Sequence, residues 1–193
     1  MPADRLNGVR VISGDLRGRR LHAPPSKTVR PTSDRVREAI FDILFSLGGV
    51  EGLLVADLFA GSGGLGIEAL SRGAASVTFV DSDPASVSCI RENLAGVGLG
   101  DAERDGDATL VRADVDAWVS NAVSRYDLIL CDPPYAYEGW TQLVKHLPAD
   151  LAILESGTEI VPPEGWRVIK TRRYGSTLVT VARPDRVTEK GVL

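Results

Sequence analysis

Sulfur is scarce in this chain of 193 residues, which has two cysteines, Cys89 and Cys131, and one methionine. Two thiols do not make a disulfide framework, so reduced cysteines and a cytoplasmic protein are expected. No stretch approaches the roughly 18 consecutive apolar residues of a membrane-spanning helix. The first ten residues hold no apolar segment of the secretory type. Histidine occurs only at His22 and His146, with no cysteine or carboxylate at ligand spacing, so no metal site is expected. Repeats and low-complexity tracts are missing too. What remains is 44% apolar and 25% charged residues, ordinary for a globular chain that builds its own core.

Charge is unevenly spread. Residues 1–37 hold nine Lys/Arg against three acids, a net +6, while the rest of the chain carries −10. Arginine outnumbers lysine 18 to 4. A basic arm on an acidic body suits a polyanionic partner such as nucleic acid; a solvated charged face is the alternative.

The order of elements follows from periodicity. Residues 9–13 and 19–22 read as two short strands around a glycine-flanked turn, and Pro24 and Pro25 end the pattern. A helix follows Thr32 or Ser33 as N-cap, with Val36, Ile40, Ile43, Leu44 and Leu47 on one face, and stops at Gly48 and Gly49. From residue 53 onward strand, turn and helix alternate. Strands are expected at 53–59, 76–80, 109–112, 127–131 and near Ile153, and a hairpin at 167–173 and 177–183. Helices are expected from Ile67 to Ser71, from Asp83-Pro84 onward, around Trp118 and at 143–147, and residues 96–107 read as a polar loop. This alternation implies an α/β fold, a mostly parallel sheet with helices on both faces. Three domains follow: a basic β-hairpin arm at 1–30, a catalytic body at 31–184 and a tail at 185–193. Ligands in such sheets sit beyond the carboxyl ends of the strands, where Asp81, Asp114 and Asp132 all fall.

Two motifs carry chemistry. The first runs from Asp57 through Phe59, Ala60, Gly61, Ser62 and Gly63 to Gly66 and contains GxGxxG. Glycines at such a turn let a ligand approach the backbone, and Asp81, followed by Ser82, can accept from ribose hydroxyls. A dinucleotide such as NAD fits this pattern, which keeps an NAD-dependent oxidoreductase open. Asp57 weighs against a pyrophosphate, since like charges repel, and suits an ammonium. Asp114 can accept from an adenine amine. The pattern resembles class I methyltransferases that use S-adenosylmethionine, a Rossmann-like fold with a seven-stranded sheet.

The second motif is Asp132-Pro133-Pro134-Tyr135, directly after a buried strand. Two prolines fix the backbone and remove two N–H donors. A carboxylate and a fixed carbonyl together accept both hydrogens of one exocyclic amine, so that its lone pair faces the methyl group. Tyr135 offers a flat face for a base. The turn resembles the catalytic motif of amino methyltransferases, which act on adenine, cytosine, guanine or a glutamine amide.

Residues 11–21 and 30–41 are long, specific matches to the bacterial family of small-subunit (16S) ribosomal RNA guanine-N2-methyltransferases that modify guanine 966. The chain is similar to that family from about residue 9 to 182. The resemblance implies a cytoplasmic monomer, without metal or membrane attachment, that methylates 16S RNA within the small subunit or its assembly intermediate. It implies that Arg10, Arg17, Arg19, Arg20 and Arg30 clamp phosphates. Arg35 either joins them, faces the cofactor or ties the arm to the body by an ion pair. A nonenzymatic RNA-binding module with a decayed pocket, and an amino methyltransferase for adenine or glutamine, are the other readings left open.

Overall fold

The structure, a computed structural model, describes residues 9–24 and 33–185. It contains two sheets. A two-stranded antiparallel ribbon pairs β1 (Val9–Arg10) with β2 (Arg20–Leu21). The second sheet has seven strands: β3 (Leu54–Leu58), β4 (Ser76–Asp81), β5 (Ala108–Arg112), β6 (Tyr126–Cys131), β7 (Ala149–Ser156), β8 (Trp166–Tyr174) and β9 (Thr177–Pro184). Their order is β5-β4-β3-β6-β7-β9-β8, parallel from β5 through β7 and antiparallel at β9 and β8. This is the expected Rossmann-like class I methyltransferase architecture with its small N-terminal hairpin.

Helices cover both faces. Along β3, Val55 enters one core and Ala56 and Leu58 the other, because successive strand residues point to opposite faces. One core is closed by α1 (Asp34–Ser46), α2 (Gly64–Ser71) and α3 (Pro84–Gly96), the other by α5 (Val115–Ser120) and α6 (Trp140–His146). Ser33 is the N-cap of α1, its hydroxyl accepting from the Val36 N–H. Asp83 caps α3 ahead of Pro84 in the same way, through Ala85.

Several boundaries differ from the sequence reading; helix α6, for one, begins at Trp140 rather than 143. The hairpin strands are two residues each, because residues 11–19 tighten into turns in which Val11 donates to Arg19 and Gly18 to Val11. Helix α2 begins at Gly64 rather than Ile67, so the glycine turn ends inside its first turn. The polar loop contains a short helix, α4 (Ala102–Asp105). Strand β7 begins at Ala149, earlier than the apolar run around Ile153 suggests.

The hairpin shares the body's core: Val9, Val11, Leu16 and Leu21 are buried in the same cluster as Ile40 and Ile67. Polar ties fix it as well. The carboxylate of Glu68, fully buried, accepts from Ile12 (2.7 Å) and Ser13 (3.0 Å). Ser71 accepts from Leu16 and donates to the Ser13 carbonyl, and Asn93 pairs with both backbone groups of His22. Gly14, at φ +80°, lies so close to α2 that a Cβ there would stand 1.8 Å from the Ser71 carbonyl oxygen. Among the described residues no helix is long and apolar enough to cross a membrane. Arg30 and the tail beyond Asp185 lie outside the described residues.

Candidate active site

The strand order reverses between β3 and β6, and the two sequence motifs leave the sheet at their adjacent carboxyl ends. Leu58 pairs with Cys131, and the Asp132 N–H reaches back to the Leu58 carbonyl at 3.4 Å. The topology thus brings the glycine turn and the proline turn together at the place where open α/β sheets bind ligands.

The glycine turn is shaped by its own backbone. Phe59 holds φ +58°, unusual for a bulky residue, and Gly61 and Gly63 hold +56° and +76°. Asp57 and Asp81 pin the turn from either side. Asp57 accepts from Gly66 at 2.8 Å; Asp81 accepts from Gly61 at 2.8 Å and from Asp83 at 2.9 Å. Together they frame a cavity of about 290 Å³ lined by Asp57, Phe59, Ala60, Gly61, Ser62, Asp81 and Ser82. Gly63 and Gly66 do not line it. A Cβ on Gly66 would stand 2.2 Å from the Phe79 ring, so this glycine lets α2 pack on β4. Asp114 is also away from the cavity: it is exposed and caps α5, accepting from Ala117 at 2.9 Å.

A second cavity of about 210 Å³ opens on the other side of the proline turn. Asp132, Pro133, Pro134 and Tyr135 line both cavities and form the wall between them. Tyr135 is held in place although its side is open to solvent: its hydroxyl bonds Ser176 Oγ at 2.9 Å, and its ring packs on Gly157. Three rings continue the wall edge to face, with Phe59–Tyr137 centroids 5.2 Å apart and Tyr137–Trp140 5.3 Å. Tyr137 is fixed by donating to Asp116 at 2.6 Å. The neighbouring Cys131 is a buried thiol whose pKa is pushed well up by burial, so it stays protonated and serves as packing.

Sequence reasoning missed the main cation of the site. Arg35 is exposed and lines neither cavity; two residues on, Arg37 both forms ion pairs and faces the first cavity. Arg37 is 1% exposed and lines the first cavity. It donates to Asp34 (2.8 Å) and to the Arg10 carbonyl (2.5 Å), with Glu68 at 4.0 Å, and its buried Nε has no hydrogen-bond partner among the described residues. Helical spacing held the signal, since position 37 lies on the same face as Ile40, Phe41 and Leu44.

These groups fit the amino-acid end of S-adenosylmethionine. Burial pushes the Asp57 pKa well above the carboxylate range, with Asp132 and Asp81 adding to it, and an ammonium beside it would relieve that cost. The Arg37 guanidinium, which lines the cavity, suits a carboxylate. A pyrophosphate at the turn would meet Asp57 instead, which disfavours a dinucleotide.

On the hairpin Arg10, Arg17, Arg19 and Arg20 are exposed. Arg10 pairs with Asp34 at 3.3 Å, and the Arg19 guanidinium lies beside Gly98. Among the described residues, no cluster of three His, Cys, Asp or Glu side chains suits a metal ion.

Comparison with known proteins points the same way. The family described as conserved hypothetical protein 95 matches residues 9–183. The chain is 30% identical over 177 residues to ribosomal RNA small subunit methyltransferase D of Haemophilus influenzae, covering 86% of this chain and 89% of that one. It is 36% identical over 127 residues to the protein of that name from Escherichia coli K12, covering 66% of this chain and 60% of that one. Among solved structures, a candidate methyltransferase of Escherichia coli superposes with a TM-score of 0.77 at 29% identity, over 92% of this chain and 98% of the other.

Proposed function

We propose, for a chain that belongs to the conserved hypothetical protein 95 family, the transfer of a methyl group from S-adenosylmethionine to the exocyclic N2 amine of a guanine in small-subunit ribosomal RNA. The expected target is guanine 966, in the small subunit or its assembly intermediate, and the enzyme acts as a cytoplasmic monomer. The observation that carries this reading is the shared wall: one rigid turn, Asp132 to Tyr135, faces both a cavity suited to the cofactor and a second cavity beside it.

Asp57 and Arg37 would hold the amino-acid end of the cofactor, and Asp81 and Ser82 its ribose. When bound, the cofactor supplies an electrophilic methyl carbon on a sulfonium, whose sulfur keeps the S–C electron pair as the bond breaks. Asp132 accepts an N–H from the target amine and turns the nitrogen lone pair toward the first cavity. Tyr135, fixed through Ser176, supports the base. The amine of guanine is conjugated and weakly nucleophilic, so placement in line is worth more than a base. Its extra proton passes to water after the new N–C bond forms, and Asp132 serves as an orienting acceptor that stabilises the developing positive charge.

Two measurements test the reading. Calorimetric titration should give binding of S-adenosylhomocysteine and none of NAD; the reverse would favour oxidoreduction. Small subunits lacking the modification should take up label from labelled S-adenosylmethionine. A folded, cofactor-bound protein that labels no RNA would favour a binding module.

A further inference from the structure

The second cavity contains a carboxylate that neither motif announces. Glu155, on β7, is 5% exposed and lines the cavity together with Asp132. The register explains why. Cys131 of β6 pairs with Leu154 of β7, so the next residues, Asp132 and Glu155, emerge side by side from the ends of two parallel strands. Such strands lie about 4.8 Å apart, close enough for two side chains to reach one edge of the same base. Alternation puts both on the face that carries Leu130 and Ile153, under α1. Glu155 also lies within electrostatic reach of Arg37 on α1.

A carboxylate accepts hydrogen bonds and cannot donate them. Two neighbouring carboxylates therefore select an edge with adjacent N–H groups. In guanine the ring N1–H lies beside the exocyclic amine. In adenine and cytosine the ring nitrogen beside the amine is a lone-pair acceptor, which a carboxylate repels. Uracil has a ring N–H but no amine, and a glutamine amide has only carbon and oxygen beside its nitrogen.

We infer that Glu155 is the residue that selects guanine, its carboxylate accepting the ring N1–H while Asp132 holds the adjacent amine. This rests on the proposed base methylation and adds to it a cause for the choice of base. Glu155 is absent from the residues lining the first cavity, so its role is separable from cofactor binding.

The test compares small subunits reconstituted with guanine or 2-aminopurine at the modified position. 2-Aminopurine keeps the target amine but presents a bare ring nitrogen in place of N1–H. Wild-type enzyme should favour guanine by roughly a hundredfold in kcat/KM, the scale of a lost hydrogen bond to a buried charged group. Glu155→Gln, whose amide can donate or accept, should narrow that preference to within about tenfold and leave S-adenosylhomocysteine binding unchanged. Equal use of the two bases by wild-type enzyme would overturn the inference without any variant. So would a Glu155→Gln enzyme that loses activity on both bases by the same factor, since that is what a merely structural role predicts. Failure of wild-type enzyme to methylate the guanine substrate at all would instead sink the reading on which the inference rests.

Discussion

The two cavities on either side of the Asp132–Tyr135 wall are built in opposite ways. The first is built around one backbone turn: residues 57–66 turn tightly, Asp57 and Asp81 pin the turn by accepting its N–H groups, and Val9, Arg37 and the proline turn complete the lining. The second is assembled from places distant in sequence, the start of α1, the end of β7 and the β8–β9 turn, and it is defined by side chains. A backbone cradle suits a ligand that is the same in every reaction. A side-chain cavity suits the part of the substrate that must be told apart from its relatives. This division of labour is the main lesson of the fold.

The sharpest way to break the comparison is at the shared wall. Asp132→Ala should lower methyl transfer by about 10²–10³, the usual scale for loss of a positioned group at a developing charge. Cofactor affinity, measured by calorimetry, should change little. Loss of both together would mean that the turn supports the first cavity as well.

A smaller effect is expected inside the first cavity. Asp57→Asn should weaken S-adenosylhomocysteine roughly 10- to 100-fold, as expected for a lost charge-assisted bond. It should also change the pH dependence of the ligand-free fold. The folded-state pKa of Asp57 is raised by burial, so between its unfolded value of 3.8 and the raised value the native state holds more protons. Wild-type stability therefore falls as pH rises through that window, and the Asn variant should lack this loss. Melting curves against pH check the sign; a variant that melts lower at every pH would show that the carboxylate is needed for structure.

At the rim, reversing the charge of Arg19 and Arg20 should weaken small-subunit binding about tenfold. It should also make log affinity fall less steeply with log salt, by about one in slope for each phosphate that the hairpin no longer neutralises. An unchanged slope would mean that the hairpin does not meet the RNA backbone. The smallest effect is predicted for Tyr135→Phe, which removes the hydroxyl that bonds Ser176 and Thr177. A severalfold rise in KM is expected, within the worth of one neutral hydrogen bond, with kcat nearly constant. A large fall in kcat would give Tyr135 a part in the chemistry.

The contrast between the cavities also explains what could be read from residues alone. The sheet, its helices and the glycine turn are legible because apolar periodicity and glycine spacing are local properties. Ser33 as a cap and the hairpin turn at Gly14 are legible for the same reason. Asp114 and Gly66 match a motif but line neither cavity: one caps α5, and the other ties the turn to Asp57 and packs against Phe79, because a pattern records residue type and not direction. Arg37 hid on a helix face that reads as core, and Glu155 hid at the end of an apolar strand. Each acquires its role through neighbours from other parts of the chain: Glu68 and the cavity wall for Arg37, Asp132 for Glu155.

Mass mapping of the RNA after reaction tests the central claim most directly. Small subunits lacking the modification, incubated with the enzyme and S-adenosylmethionine, should gain a single methyl group on the N2 of one guanine. A methyl group found on an adenine or on a ribosomal protein would contradict the account.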